Sequence, residues 1–254
     1  SKYISGFKAG TQKIEQVVKA RFPQARVLRM DMDTTRTKDG YEQILSAFSN
    51  HEADILIGTQ MIVKGHDFPG VTLVGVLAAD LSLYISDYRA SERTFQLLTQ
   101  AGGRAGRGDI PGNVIIQTYD PDHYSITTAK EQNYEAFYGQ EIEYRKMMRY
   151  PPVWNMLYIL CASKNEAEAS EAAVALMGKI DQIVRENSEK IFPIGPSDAP
   201  VAKISDVYRK VIYVKTREYQ TLVILKDGLE AFIKDNRLYQ NVAVGFDFNP
   251  VNGF

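Results

Sequence analysis

One cysteine, one tryptophan and three histidines in 254 residues leave little material for several classes of site. A lone Cys161 can form no internal disulfide and cannot supply the paired thiolates of a zinc module. The histidines stand apart at positions 51, 66 and 123, and that spacing gives no metal site. No apolar run approaches the roughly 20 residues needed to span a bilayer, and no secretory leader pattern is visible. Charge of one sign is missing too, with 30 Lys and Arg against 31 Asp and Glu. A chain-wide basic field is therefore excluded, and any nucleic-acid site must be local. The pattern G-x-x-x-x-G-K-[ST] does not occur, since "GFKAGTQK" lacks the Gly-Lys-[Ser/Thr] ending that cradles phosphates.

With 44% hydrophobic and 24% charged residues, the chain reads as a soluble globular protein of one large or two ordinary domains. Cys161 lies in the apolar run "MLYILCAS" and reads as a buried small hydrophobe, which suits a reducing, cytoplasmic setting. The sequence starts without methionine at "SKYISGF", and a periodic segment comes at once, so an excised fragment is expected.

Hydrophobic periodicity supplies the organisation. "GTQKIEQVVKARF" places Ile14, Val17, Val18 and Phe22 at helical spacing, and "ARVLRMD" comes next as a strand. "YEQILSAF" reads as a helix, "ADILIGTQ" and "VTLVGVLAAD" as strands, "SERTFQLLTQ" as a helix and "GNVIIQTYD" as a strand. This alternation predicts an α/β fold with a mostly parallel sheet covered on both faces. Ligands gather at the carboxyl ends of such strands, and "DMDTTRTK" and "GTQMIVKGHDFPG" fall there. The prolines of "YPPVW" end the helix "NYEAFYGQEIEYRKMMR", placing a boundary near Tyr150 and domains at 1–150 and 151–254. The second domain runs strand, helix, two strands, helix, strand, which predicts a smaller α+β sandwich of the split βαβ type.

"TQAGGRAGRG", residues 99–108, sets two arginines among four glycines. Glycines let backbone pass close to a ligand, and guanidinium forks suit phosphates. The spacing Q-x-x-G-R-x-G-R, from Gln100 through Gly103, Arg104 and Gly106 to Arg107, resembles motif VI of the superfamily-two helicases and translocases. Upstream, "ILIGTQMIVKGHDFPGVTLVGVLAAD" resembles their motif V. A threonine at a strand end can offer its hydroxyl and nearby N–H groups to nucleic-acid phosphates. Thr59 and Gln60, with Thr34 and Thr35 in "DMDTTRTK", are the expected DNA contacts of this half. "HEAD", residues 51–54, precedes its strand and reads as a turn rather than a displaced D-E-x-H box. Tyr84, Tyr88 and Phe95 lie between the two motifs. Helical spacing favours the core for Phe95, while the tyrosines stay open between surface stacking and burial. In the second half Lys203, Tyr208 and Arg209, near Lys210, Tyr213 and Lys215, give a modest DNA- or partner-binding pattern that also fits a solvated strand face.

The wording of four segments, "RVLRMDMDTTRTK", the motif V run, "DYRASERTFQLLTQAGGRAGRG" and "GNVIIQTYDPDHYSI", resembles the second helicase lobe of the primosomal replication-restart helicases, the PriA family. "YPPVW" and "IGPSDAPVAKISDVYRKVIYVKT" resemble that family's C-terminal domain. The resemblance implies a RecA-like lobe in an ATP-driven 3′ to 5′ DNA helicase that recognises abandoned forks and recruits primosome proteins. It implies Arg107 as an arginine finger with Arg104 beside it, and Gln100, Gly103, Gly65 and Asp67 at the nucleotide cleft. ATP and Mg²⁺ would be bound mainly by the first lobe, and zinc by a cysteine-rich module. Neither the phosphate-wrapping loop nor those cysteines occurs in this sequence. Forked and single-stranded DNA, single-stranded-DNA-binding protein and primosome proteins are the implied partners, with no membrane. The alternatives are a binding module without motor activity, or part of another superfamily-two translocase.

Overall fold

The computed structural model describes residues 10–36, 39–62, 68, 70–85, 87–106, 111–186 and 190–251. The chain divides into two compact units, one of Ser1–Ile85 and Arg89–Phe137 and one of Ser86–Tyr88 and Tyr138–Phe254.

In the first unit, α1 (Thr11–Arg21) precedes β1 (Val27–Met30), and α2 (Gly40–Ser49) precedes β2 (Ile55–Gly58). A 3-10 turn, Gln60–Ile62, comes after β2, and β3 (Leu73–Val76) leads into a second, Ala79–Ser82. Then come α3 (Ala90–Gly102), β4 (Asn113–Ile116), α4 (Tyr124–Lys130) and the first residues of α5 (Tyr134–Met148). β1 pairs in parallel with β2, and β3 with β4. The fold is mixed α/β with partly parallel pairing, but the sheet covered on both faces does not form among the described residues. Two separate two-stranded sheets stand in its place. The strands span four residues each, and the core of Ala79, Phe95, Leu98, Ile126, Ala129 and Phe137 draws α3, α4 and α5 together. Leu73, Leu77 and Ile115 stay exposed. Phe95 takes the core position its spacing suggests and stacks on Phe137 with ring centres 4.3 Å apart.

α1 keeps its helical period without a buried stripe, and Val17 and Phe22 are each 56% exposed. Its ties to β1 are polar: the Thr11 hydroxyl donates to Asp31 at 2.5 Å, and Glu15 lies 3.4 Å from Arg29. Before β2, "HEAD" is a turn with His51 at φ 59°. Asp54 accepts from the Arg26 N–H and guanidinium at 2.8 to 3.1 Å, and the Arg26 side chain pulls its carboxyl down to about 2.

The second unit holds β5 (Asn155–Ser163), α6 (Glu166–Glu186), β6 (Phe192–Ile204), β7 (Val207–Thr216), α7 (Tyr219–Asp235) and β8 (Ala243–Phe248), with a 3-10 turn at Arg237–Tyr239. Its strands form one antiparallel sheet in the order β6-β7-β5-β8. Alternation sends Leu157, Ile159 and Cys161 of β5 and Ile212 and Val214 of β7 into a core with Leu176, Ile180, Leu222, Leu225 and Leu229. Ala169, Ala172 and Ala173 keep the buried face of α6 small, and the Tyr239 hydroxyl donates to the Ala172 carbonyl at 3.2 Å. Cys161 is fully buried, and burial pushes its thiol up to about 12. β6 accommodates Pro193, Pro196 and Pro200 because it is an edge strand, where a missing N–H breaks no second ladder.

Candidate functional site

Parallel pairing sets Met30 opposite Gly58, so the chain leaves β1 and β2 at one edge of their sheet. Gly58 has no room for a side chain: a Cβ there would lie 2.5 Å from Ile62 and 2.6 Å from the Met30 carbonyl oxygen. Thr34, Thr35, Thr59 and Gln60 lie just past these two strand ends. Thr59 and Gln60 are exposed, and the Thr59 carbonyl accepts from Ile62 N–H at 3.2 Å. Thr34 and Thr35 instead turn inward. Their hydroxyls donate to the Asp31 carbonyl at 3.2 and 2.7 Å, and the Asp31 carboxylate accepts from the N–H groups of Asp33 and Thr34, each at 3.0 Å. The Thr11 hydroxyl is foremost in holding the Asp31 carboxyl below its ordinary range, against the opposing effect of burial, with help from the Thr34 N–H and Arg29.

At the other parallel pair, Asp80 is 3% exposed and joins the two carboxyl ends. It accepts from the Thr118 hydroxyl at 2.5 Å and from the N–H groups of Tyr119 and Asp120 at 2.9 and 3.2 Å. Burial raises its carboxyl, but these donors outweigh it and hold the group ionised below its usual range. Ala78 enters this junction at φ 50°, the left-handed region. Sequence reasoning gave Asp80 no role, although its place at the end of "VLAAD" marks a strand terminus.

α3 carries Gln100 exposed near its end and closes on Gly103, whose N–H donates to Thr99 at 3.0 Å. Arg104 N–H donates to Ala101 at 3.1 Å, and its side chain is half-buried. Gly106 adopts φ 73°, and its N–H donates to Val71 at 3.1 Å. The arginine run is therefore a folded turn on α3 rather than a loose tail, as far as Gly106. Arg107, Gly65 and Asp67 lie outside the described residues. Between the motifs, Tyr84 is 73% exposed, whereas Tyr88 is buried and stacks on Tyr150 with ring centres 5.3 Å apart. Tyr88 is thus a packing residue with its hydroxyl donating to Pro250.

In the second unit Lys203 is exposed, ion-paired to Asp206 at 2.9 Å, with its ammonium 4.7 Å from the Tyr208 ring centre. Asp206 first, and Tyr208 second, raise its affinity for a proton. Arg209 donates to the Val201 carbonyl at 3.4 Å, and Lys210 bridges Asp198 and Glu166. The lysines of this row already have acidic partners, so a phosphate there competes with carboxylates. Lys215, which the sequence reading placed in this row, lies instead in a cation cluster whose other members that reading missed. Lys215 is buried, donates to the Met148 carbonyl at 3.1 Å and lies 3.8 Å from the Tyr150 ring centre. Arg145 is buried against Glu141 at 2.6 Å and donates to Pro151 at 3.0 Å, and Arg149 lies 3.6 Å from the centre of Phe192. The signal was the run "EYRKMMRYPPVW", where cations and aromatics alternate at a helix end.

The Arg104 guanidinium is of a kind that suits phosphate oxygens, whereas the N–H groups of Gly103, Arg104 and Gly106 are taken up by the carbonyls of Thr99, Ala101 and Val71. Such donors do not suit a divalent cation, and among the described residues no three His, Cys, Asp or Glu side chains converge. No helix among them is long and apolar enough to cross a membrane.

Residues 4–109 match the family described as "Helicase conserved C-terminal domain", and residues 146–251 match "Primosomal protein N C-terminal domain". "Replication restart protein PriA" of Bacillus subtilis is 46% identical over 254 residues, covering 98% of this chain and 31% of that protein. Those of Synechocystis and Chlamydia pneumoniae are each 41% identical, over 88% and 82% of this chain and 27% of each relative. The chain thus spans less than a third of the length of these curated relatives.

Proposed function

Since this chain belongs to the PriA family of replication restart proteins, we propose that it is the C-terminal portion of an ATP-dependent 3′ to 5′ DNA helicase. That helicase recognises stalled or abandoned replication forks and starts primosome assembly. Residues 1–150 form its second RecA-like lobe, and residues 151–254 form a C-terminal βαββαβ domain that binds DNA or protein partners. The observation that carries this reading is the turn at Gln100–Gly106, where Arg104 sits on backbone fixed to α3 at one end and to Val71 at the other. A charged fork held rigidly is what stabilisation of a transferring phosphoryl group requires.

In this reading ATP, bound between two lobes, supplies the phosphoryl transfer, and its Mg²⁺ ligands and phosphate-wrapping loop belong to the first lobe. Arg107 reaches the phosphoryl group as the finger, and Arg104 supports it. Gln100 and Gly103, with Gly65 and Asp67, border the nucleotide. Thr59 and Gln60, exposed at the edge of the β1–β2 sheet, hold DNA phosphates. Thr34 and Thr35 shape that edge and reach DNA only by exchanging their bonds to Asp31. Lys203, Tyr208 and Arg209 make the second-domain contacts. Single-stranded-DNA-binding protein and other primosome proteins are the partners, and zinc belongs to a module elsewhere in the protein.

The test is steady-state ATPase of the full-length protein on saturating forked DNA, beside a fork-binding titration. Arg107→Ala is expected to lower turnover by about 10³-fold or more, the lower end of what an arginine finger contributes, with fork binding retained. Arg107→Lys restores little, because a point charge does not reproduce the planar fork. Near-normal turnover, or parallel loss of binding and turnover, rejects the assignment.

A further inference from the structure

We infer that Gly112, which lies outside the Q-x-x-G-R-x-G-R run, is a positioning residue for Arg104; the inference rests on the motor reading above. Gly112 meets the arginine turn backbone to backbone. A Cβ at Gly112 would fall 2.1 Å from the Gly106 nitrogen, 2.4 Å from the Ala105 carbonyl carbon and 2.6 Å from the Ala105 Cβ. The contact is reciprocal, since a Cβ at Gly106 would fall 2.5 Å from the Gly112 nitrogen. None of these neighbours is the end of a flexible side chain, so a methyl group on either glycine must displace main chain.

Both glycines are also tied to the segment entering β3. Gly106 N–H donates to Val71 at 3.1 Å, and Asn113 N–H, next to Gly112, donates to Thr72 at 2.8 Å. On its other side the turn is held by Gly103 N–H on Thr99 and Arg104 N–H on Ala101. Arg104 therefore sits on a short stretch fixed at one end by α3 and at the other by a close-packed pair of glycines. The left-handed φ of 73° at Gly106 keeps that second end where it is. Gly75 on β3 offers the contrast, because a Cβ there meets nothing within 4 Å.

Moving Ala105 and Gly106 would carry the Arg104 guanidinium off its target without removing it. Displacement of a catalytic group by about 1 Å lowers turnover by up to roughly 10²-fold. The experiment measures kcat and KM for ATP in the full-length protein on saturating forked DNA, with kcat expressed per fork-binding molecule so that unfolded protein does not enter. Gly112→Ala is expected to lower kcat at least about tenfold while KM and fork affinity stay within about twofold. Gly75→Ala leaves all three unchanged. Gly106→Ala meets the same contact from the other side and carries the test if Gly112→Ala yields no folded protein. The double variant Arg104→Ala with Gly112→Ala is expected to be slower than Arg104→Ala alone by less than the factor that Gly112→Ala costs by itself, because one of the guanidiniums carried by the turn is already gone. Normal kcat in Gly112→Ala, a parallel loss of fork binding, or additive losses in the double variant overturns the inference. If Arg104→Ala itself keeps normal turnover, the motor reading of this turn falls first.

Discussion

Lys215 carries an ammonium into a buried place on β7, with the Met148 carbonyl and the Tyr150 ring as partners. Burial first, and the charge of Arg149 second, bring its pKa down from 10.5 to about 8. Below about 8 both folded and unfolded chains hold the proton, and the desolvation penalty is fully present. Between about 8 and 10.5 the unfolded chain holds the proton that the folded one has lost, so this group makes stability rise with pH. One proton gives a slope of at most about 1.4 kcal/mol per pH unit. Cys161 works in the opposite direction, since its thiol stays protonated in the fold from about 9 to 12. The comparison of wild type with Lys215→Met in urea unfolding from pH 7 to 10.5 isolates the lysine. The stability difference is expected to shift toward the wild type as pH rises, and parallel profiles would contradict the assignment. Cys161 was legible because an apolar run names its own environment. The burial of Lys215 and Tyr88 was not: the Tyr88 hydroxyl finds Pro250 across 162 positions, and no local pattern carries such a distance.

At the scale of elements, the end of α5 shows how a helix is fastened to the chain beyond it. Arg145 and Glu141, one turn apart and buried, form an ion pair, and Arg145 also reaches the Pro151 carbonyl past the helix end. Removing one member takes this ion-pair contact away from a charge held in the interior. Glu141→Ala is therefore expected to cost about 3–5 kcal/mol, whereas replacing both residues by Leu costs far less, as apolar pairs often do in such places. Denaturant midpoints of the two variants check the ordering. Elements with a sustained apolar pattern were readable: "NMLYILCAS" is β5 residue for residue, and the helix "NEAEASEAAVALMGKIDQIVREN" ends within one residue of α6 at both termini. β6 was underread, because its three prolines resemble turn punctuation and only an edge position makes them compatible with a strand. The periodicity of α1 gave the helix but not its surroundings, since its ties to β1 are hydrogen bonds and charges.

For the whole molecule, the proposed helicase reading makes two outcomes testable without any substitution. The 254-residue chain is expected to show no DNA-stimulated ATPase, because arginines alone do not bind the phosphates and metal. Turnover above background at any DNA concentration would reject that view. DNA binding by the same chain is expected to be weak, indifferent to sequence and steeply salt-dependent, as phosphate contacts and stacking dictate. Titration of labelled single-stranded DNA at two salt concentrations reads the slope, and equal affinity at both would count against it. Asp80 has one more consequence, in the order of folding events. Its bond to Thr118 closes a loop of 38 residues, and α3 and the arginine turn lie inside that loop. A helix forms from neighbours within microseconds, whereas a contact across such a separation waits for the chain ends to meet. α3 is thus expected to form early, and the Asp80–Thr118 bond only after β3 and β4 have found each other. In that order, local sequence makes the helix, and the slower, non-local pairing closes the loop that carries the arginines.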